Sequence, residues 1–269
     1  VDEQRQGVVP GGRETSAGKG DTSVGKGLCV LDALATSRAP LGVSEIAHRT
    51  GMAKSTIHRL LVTMISHGYV AKVEDRYSLA DRVFEVGNRV QVGEVENLRE
   101  SAAPYLAELF ALTRQTVHLG VLSGSDVLYV DKVAGTNSPR VTTRVGGRRP
   151  AYATGLGKAL LAFASPPVVK QTLAGSFKRF TAYTVADAQR MTQSLVRVRE
   201  TGLATDYEES FLGVACLAAP VWNADTTRAV ASISLSCSVS GRSPSRYRTA
   251  LNDIARQLSG AFRLAERKA

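Results

Sequence analysis

The chain has 269 residues, 43% of them apolar, and carries 34 Lys and Arg against 24 Asp and Glu, a net charge of +10. That length suits two domains of roughly 100–200 residues, and the apolar content suits packed cores rather than a disordered chain. No run approaches the ~18 apolar residues of a membrane span, and no charged stretch leads into an apolar one as in a secretory signal, so no membrane partner and a cytoplasmic location are expected.

Residues 1–22 are rich in Gly, Ser, Thr and charge and have no apolar period, which predicts a disordered tail. The run Gly20-Asp21-Thr22-Ser23-Val24-Gly25-Lys26 matches the first seven positions of a phosphate-binding loop. The eighth, which should be a hydroxyl that ligates magnesium, is Gly27, and no strand precedes the run, so no nucleotide cofactor is expected. From Ser23 the pattern turns helical, with Leu28, Leu31, Leu34 and Ala35 on one face. Arg38-Ala39-Pro40 breaks it. A second helix is expected at 43–50, with Val43, Ile46 and Ala47 inward and Glu45 in its first turn, where a negative charge suits the helix dipole. After the turn Gly51-Met52-Ala53, a third helix at 54–67 places Ile57, Leu60, Leu61 and Met64 on one side. Two short strands, 70–73 and 76–79, follow with Glu74-Asp75 between them.

Helix, helix, short turn, helix and β-hairpin is the order of a winged helix-turn-helix, here residues 23–80. The outer face of its third helix carries Lys54, Ser55, Thr56, His58 and Arg59. In a major groove, hydroxyls can reach base edges or phosphates and Arg can grip guanine in bidentate fashion. Ser44 joins this set, and Lys72 and Arg76 on the wing are candidate phosphate contacts. The alternative is the solvated side of an amphipathic helix. Global charge does not decide, since residues 1–93 hold 12 Lys and Arg against 10 Asp and Glu, +2 of the +10. Local charge favours DNA: between Glu45 and Glu74 there is no acid, but there are Arg49, Lys54, Arg59 and Lys72.

Residues 81–96, with Val83, Phe84, Val86, Val90 and Val92, read as a linker helix and candidate dimer contact. From residue 97 the expected elements are a helix at 98–114, a hairpin of 118–122 and 127–133, and a strand at 140–145. A loop at Gly146-Gly147 and Pro150 comes next. Helices then start near Gly155 and at Pro166-Pro167, and a long one spans 186–201. Strands at 203–207, 214–222 and 228–237 precede a terminal helix at 245–264. This is an α+β domain built on a mostly antiparallel sheet.

The chain resembles the IclR-type bacterial transcriptional regulators over about residues 23–265. The likeness is carried by Leu41-Gly42-Val43-Ser44-Glu45-Ile46-Ala47, Lys54-Ser55-Thr56-Ile57-His58-Arg59-Leu60-Leu61 and Gly68-Tyr69-Val70. It continues in Pro150-Ala151-Tyr152-Ala153-Thr154-Gly155-Leu156-Gly157-Lys158-Ala159-Leu160-Leu161-Ala162, in Gly202-Leu203-Ala204-Thr205-Asp206-Tyr207-Glu208-Glu209 and in Gly213-Val214-Ala215-Cys216-Leu217-Ala218-Ala219-Pro220-Val221. The resemblance implies a GAF-like effector-binding domain at 97–269. It also implies a homodimer, often a dimer of dimers, that binds a double-stranded DNA operator on the bacterial nucleoid as repressor or activator. Its effector pocket maps onto Thr154, Gly155 and Leu156, onto Asp206 and Cys216, and onto Ser234 and Ser236.

Physical reasons support such a site. Gly155 and Leu156 open a helix, whose free N–H groups suit an anion such as a metabolite carboxylate. Ser234 and Ser236 alternate with Ile233 and Leu235 and so share one face of a strand. Each residue also has a plainer reading: helix-start geometry, a satisfied turn Asp, a core cysteine, an ordinary strand serine. The cluster Arg140, Arg144, Arg148 and Arg149 reads as a solvated loop or a subunit contact, with a second anion patch as the alternative. The rival class is an enzyme with Cys216 or a serine as nucleophile. It needs a base, and of His48, His58, His67 and His118 only His118 lies outside the helix-turn-helix. Cys29, Cys216 and Cys237 show no metal-ligand spacing, and Gly241-Arg242-Ser243-Pro244-Ser245 fails as a nucleophile elbow at its last position. The chain is therefore expected not to be an enzyme and to hold no metal.

Overall fold

A computed structural model describes residues 22–90, 97–136, 138, 139, 141–223, 228–241 and 243–266. The chain forms two compact units that divide between Val90 and Gln91. Most of the expected tail, with Gly20 and Asp21 of the loop-like run, lies outside the described residues. The rest of that run is helical: Thr22 caps α1 (Ser23–Ala35) by accepting from Gly25 N at 3.1 Å.

The first unit continues with α2 (Val43–Thr50), α3 (Lys54–Ser66), the antiparallel hairpin β1 (Val70–Val73) and β2 (Arg76–Leu79), and α4 (Asp81–Gly87). Its core is Val30, Leu34, Leu41, Ile46, Ile57, Leu61, Val70 and Tyr77. The face of α1 differs from the expected one. Gly27, Val30, Ala33 and Leu34 point inward, whereas Leu28 and Ala35 are exposed. Small residues win there because α1 packs closely: a Cβ on Gly27 would lie 3.1 Å from Met64 Cε. Glu45 Oε2 accepts from Gly42 N at 2.8 Å, and α2 ends on Gly51 at φ +69°. The wing is fastened by Leu41, which exchanges two backbone hydrogen bonds with Tyr77 at 2.8 and 2.9 Å. The linker helix is shorter than its apolar pattern suggested. It stops at Gly87 with Asn88 as its cap and buries no residue, and 91–96 lie outside the described residues.

The second unit has one six-stranded antiparallel sheet in the order β5-β4-β3-β8-β7-β6. Its strands are β3 (Thr116–Ser123), β4 (Asp126–Val133), β5 (Arg148–Pro150), β6 (Ala204–Tyr207), β7 (Val214–Trp222) and β8 (Ala229–Ser238). Helices cover both faces. On one, α5 (Leu98–Thr113) and α9 (Arg248–Glu266) bring Ala102, Leu106, Leu258 and Phe262 onto Val117, Leu119, Ile233 and Leu235. On the other, α6 (Gly155–Leu161) and α8 (Ala188–Thr201) bring Leu156, Leu160, Met191 and Leu195 onto Tyr129 and Ala218. α7 (Pro166–Ala174) packs beside α8. Strand alternation separates the faces: Ile233 and Leu235 point to α5 and α9, while Ser232, Ser234 and Ser236 point to α6.

Two expected elements change. Among the described residues of 140–145 there is no strand, and the edge strand beside β4 is β5, at a stretch read as loop. Instead of a backbone ladder, this segment offers the carbonyls of Val141 and Thr143 to Lys132 Nζ at 3.2 and 2.8 Å. Gly146, at φ +76°, then turns the chain into β5. The terminal helix begins later than expected, at Arg248, after a 3₁₀ turn at Pro244–Tyr247.

Candidate functional site

In the first unit, α3 exposes Lys54, Ser55, His58 and Arg59, with Thr56 half-buried, and α2 exposes Ser44. The N-terminus of α3 starts on Ala53 with no side-chain cap. Thr56 N donates to Ala53 O at 3.0 Å, whereas the N–H groups of Lys54 and Ser55 have no acceptor among the described residues, a ready seat for a phosphate oxygen. The wing residues divide. Lys72 is exposed, 5.8 Å from the Tyr77 ring centre and 3.8 Å from Asp75. Arg76 is exposed as well, and it donates to Pro40 O at 2.9 Å and to Glu45 Oε2 at 3.1 Å. The Gly42 N–H, with help from Arg76, holds the Glu45 carboxyl below its usual pKa. Arg76 thus fastens the wing to α2 within its own unit, a role its position in the hairpin did not reveal.

In the second unit the sheet aligns a polar row beneath the start of α6. Asp206 on β6 pairs with Cys216 on β7, Cys216 with Ser236 on β8, and Ser236 with Thr116 on β3. One step along, Ser234 pairs with both Ala218 and His118. Paired residues share a sheet face, so these polar groups converge. α6 comes down directly onto the row: a Cβ on Gly155 would lie 3.5 Å from those of Cys216 and Ala218 and 3.8 Å from that of Asp206. Gly157 is tighter still, for a Cβ there would fall 2.1 Å from Ala151 O.

The result is a tight pocket, with about 20 Å³ open to the centre of a water-sized sphere inside about 340 Å³ of unfilled space that includes open solvent. Thr154, Gly155, Leu156, Asp206, Cys216, Ser234 and Ser236 all line it. Thr154 does so while serving its helix, its Oγ1 accepting from Gly157 N at 3.0 Å. The sequence reading did not assign His118, Tyr129, Thr143, Ser210, Phe211 or Val214 to this wall. His118 and Tyr129 were findable, since both alternate with core residues along a hairpin. Thr143, Ser210 and Phe211 stand on irregular backbone, where period gives no signal.

The charge states follow from burial. Asp206 accepts from Glu209 N at 2.8 Å, yet desolvation pushes its pKa up to about 7 against the pull of Lys158. Burial also pushes the Cys216 thiol far up, and its Sγ lies 3.2 Å from Ser236 Oγ. His118 is pushed down to about 3 by burial and by the charge of Lys132. Its Nε2 bonds Thr143 Oγ1 at 2.8 Å, and its ring meets Tyr129 edge-on at 5.3 Å. At neutral pH the wall holds a protonated thiol and, two strands away, a neutral imidazole, without the thiolate that a cysteine nucleophile requires. The arginine cluster is not uniformly solvated. Arg149 is half-buried, its guanidinium 4.3 Å from the Phe211 ring centre and 5.1 Å from that of Phe180. Arg140 lies outside the described residues.

Comparison with known proteins agrees with both halves. Residues 23–74 match the family described as IclR helix-turn-helix domain, and residues 90–260 match Bacterial transcriptional regulator IclR C-terminal. The chain is 36% identical over 217 residues to the HTH-type transcriptional regulator XynR of Escherichia coli (strain K12), covering 80% of this chain and 85% of XynR. The chain belongs to the IclR family of transcriptional regulators. Its IclR-type fold is also met in the crystal structure of the Thermotoga maritima IclR, with 26% identity, a TM-score of 0.73 and coverage of 90% of this chain and 98% of that one. An IclR homolog from Microbacterium hydrocarbonoxydans, solved in complex with 4-hydroxybenzoate, shares the fold at 22% identity and a TM-score of 0.81, covering 90% of this chain and all of the other. As an IclR-type regulator the chain pairs a DNA-binding unit with a ligand-binding one. No helix among the described residues is long and apolar enough to cross a membrane.

Proposed function

We propose that this IclR-type regulator controls its operator through a small molecule held by Thr154, Gly155, Leu156, Asp206, Cys216, Ser234 and Ser236. The observation that carries the reading is the convergence of these residues, from four separate elements, on one partly apolar pocket. A metabolite with a carboxylate or a hydroxyl suits a wall of hydroxyls, a thiol and an Asp206 that burial brings near half protonation at neutral pH. The chain performs no catalysis.

Operator reading is assigned to Lys54, Ser55, Thr56, His58 and Arg59 on α3, with Ser44 and Lys72 as phosphate contacts. Arg76 keeps a place in the interface through the wing that it orients. The active form is a homodimer, or a pair of dimers, acting in the cytoplasm on nucleoid DNA. Val24 and Leu28 of α1 and Phe84, Val86 and Val90 in and just after α4 are exposed apolar residues suited to a partner subunit. Two recognition helices then read the halves of a pseudo-palindrome. An effector shifts this equilibrium only through unequal affinity for the binding and non-binding arrangements.

The test is a metabolite screen by thermal shift, repeated on Ser236→Val and Cys216→Leu. Hits that stabilise the wild type and alter operator affinity, but lose both effects in the variants, support the pocket. Hits that act equally on the variants would move the effector site elsewhere.

A further inference from the structure

Behind the pocket wall lies an ion pair that does not itself line the cavity. Lys158, in α6, is 2% exposed, and Glu209 follows Asp206 by three residues. Lys158 Nζ donates to the Glu209 carboxylate and, at 2.8 Å, to Thr205 O. Its two partners therefore bracket Asp206 in the chain. Glu209 N in turn donates to Asp206 Oδ1 at 2.8 Å. One ammonium group thus joins the body of α6, whose first residues line the pocket, to the segment that carries Asp206, Ser210 and Phe211 on the opposite wall.

We infer that Lys158 and Glu209 are positioning residues for the pocket, setting the Asp206–Phe211 wall against α6 rather than holding the fold together. The inference rests on the reading of this cavity as the ligand site. Two further observations carry it. Glu209 Oε2 is buried without a hydrogen-bond donor among the described residues. A pair kept for stability would satisfy both oxygens, because burying ions is expensive and apolar replacements of a buried pair are often neutral or better. The path of the wall is also fixed by neutral bonds that do not need Lys158. Thr184 Oγ1 donates to Glu209 O at 2.7 Å, Thr181 Oγ1 to Glu208 O, and Ser210 Oγ to Ala153 O. These hold the segment's backbone, while the ion pair adds its registration against α6.

The experiment uses the full chain and the small thiol reagent methyl methanethiosulfonate, with labelling followed peptide by peptide by mass spectrometry. Cys216 reports the pocket. Cys237, buried one residue beyond Ser236 on the other face of the sheet, reports opening of the fold. In Lys158→Met/Glu209→Leu the melting temperature stays at or above that of the wild type. Cys216 labels roughly tenfold faster or more, as a locally loosened wall requires, while Cys237 is unchanged. Lys158→Met alone strands a buried carboxylate and melts lower. The inference is overturned by an unchanged Cys216 rate in a folded double variant. A double variant that does not fold overturns it too, as does parallel acceleration of Cys216 and Cys237 with loss of stability, since either makes the pair structural. Failure of the pocket reading shows separately: no compound that stabilises the wild type would slow its Cys216 labelling.

Discussion

Asp206→Asn and His118→Gln should tilt the pH dependence of stability in opposite directions. Burial raises Asp206 from 3.8 to about 7 and lowers His118 from 6.5 to about 3. Between pH 4.5 and 6.5 the folded protein therefore holds a proton on Asp206 that the unfolded chain has lost. Over the same range it lacks one on His118 that the unfolded chain carries. Stability changes with pH as the difference in bound protons, about 1.4 kcal/mol per unit for one group. The two contributions cancel in the wild type. Asp206→Asn leaves His118, so stability rises with pH through this window and levels above 6.5. His118→Gln leaves Asp206, whose contribution is present at low pH and lost as pH rises through about 7. Each slope amounts to about 3 kcal/mol across the two pH units. For a unit spanning Gln91–Ala269 that is roughly 6–12 °C in melting temperature relative to the wild type. Thermal melts of the three proteins at half-unit pH steps measure it. Two variants that run parallel to the wild type would refute the burial argument for both groups, and slopes of exchanged sign would refute its direction.

Other outcomes follow from the same geometry. Gly157→Ala should destabilise the second unit severely, because its Cβ would overlap Ala151 O, whereas Gly155→Ala, with neighbours no nearer than 3.5 Å, should fold normally; circular-dichroism melts separate them. Arg59→Ala should weaken specific operator binding by roughly 1–3 kcal/mol if the side chain reads a base, and an equal loss on random DNA would make it a phosphate contact. Lys72→Ala should lower the salt dependence of DNA binding by about one counterion, while Arg76→Ala, already bonded to Pro40 and Glu45, should leave that slope unchanged. Gel-shift titrations at four salt concentrations decide both.

Local chemistry made much of this molecule legible in advance. Gly51, Gly68 and Gly202 stop helices where the backbone must turn left-handed, and α2, β1 and β2 lie where their patterns put them. The misses arise where tertiary contact overrides pattern. Val141, Thr143 and Val145 alternate like a strand, but Lys132 and His118 take up the carbonyls and hydroxyl of that segment. Leu28 fits a helical stripe, yet the tighter approach allowed by Gly27 turned the helix so that it stays exposed. In the pocket, residues on strands and at a helix start were readable because period and motif fix which way they face. Phe211 and Ser210 were not, since their place depends on the bonds from Thr181, Thr184 and Lys158 that direct an irregular segment. Arg76 illustrates the same limit: its place in the hairpin suggests a phosphate contact, whereas its bonds to Pro40 and Glu45 are not readable from the hairpin pattern.

The most direct test of the account is selection from a pool of random duplexes by the full-length protein, followed by titration of the selected sequence and of an unselected duplex at one fixed salt concentration. The expected result is an enriched pseudo-palindrome bound roughly 10³-fold or more tightly than the unselected DNA, with Arg59→Ala lowering that preference by roughly 5- to 150-fold. Equal affinity for both duplexes would contradict it, leaving α3 as a solvated helix face without a sequence to read.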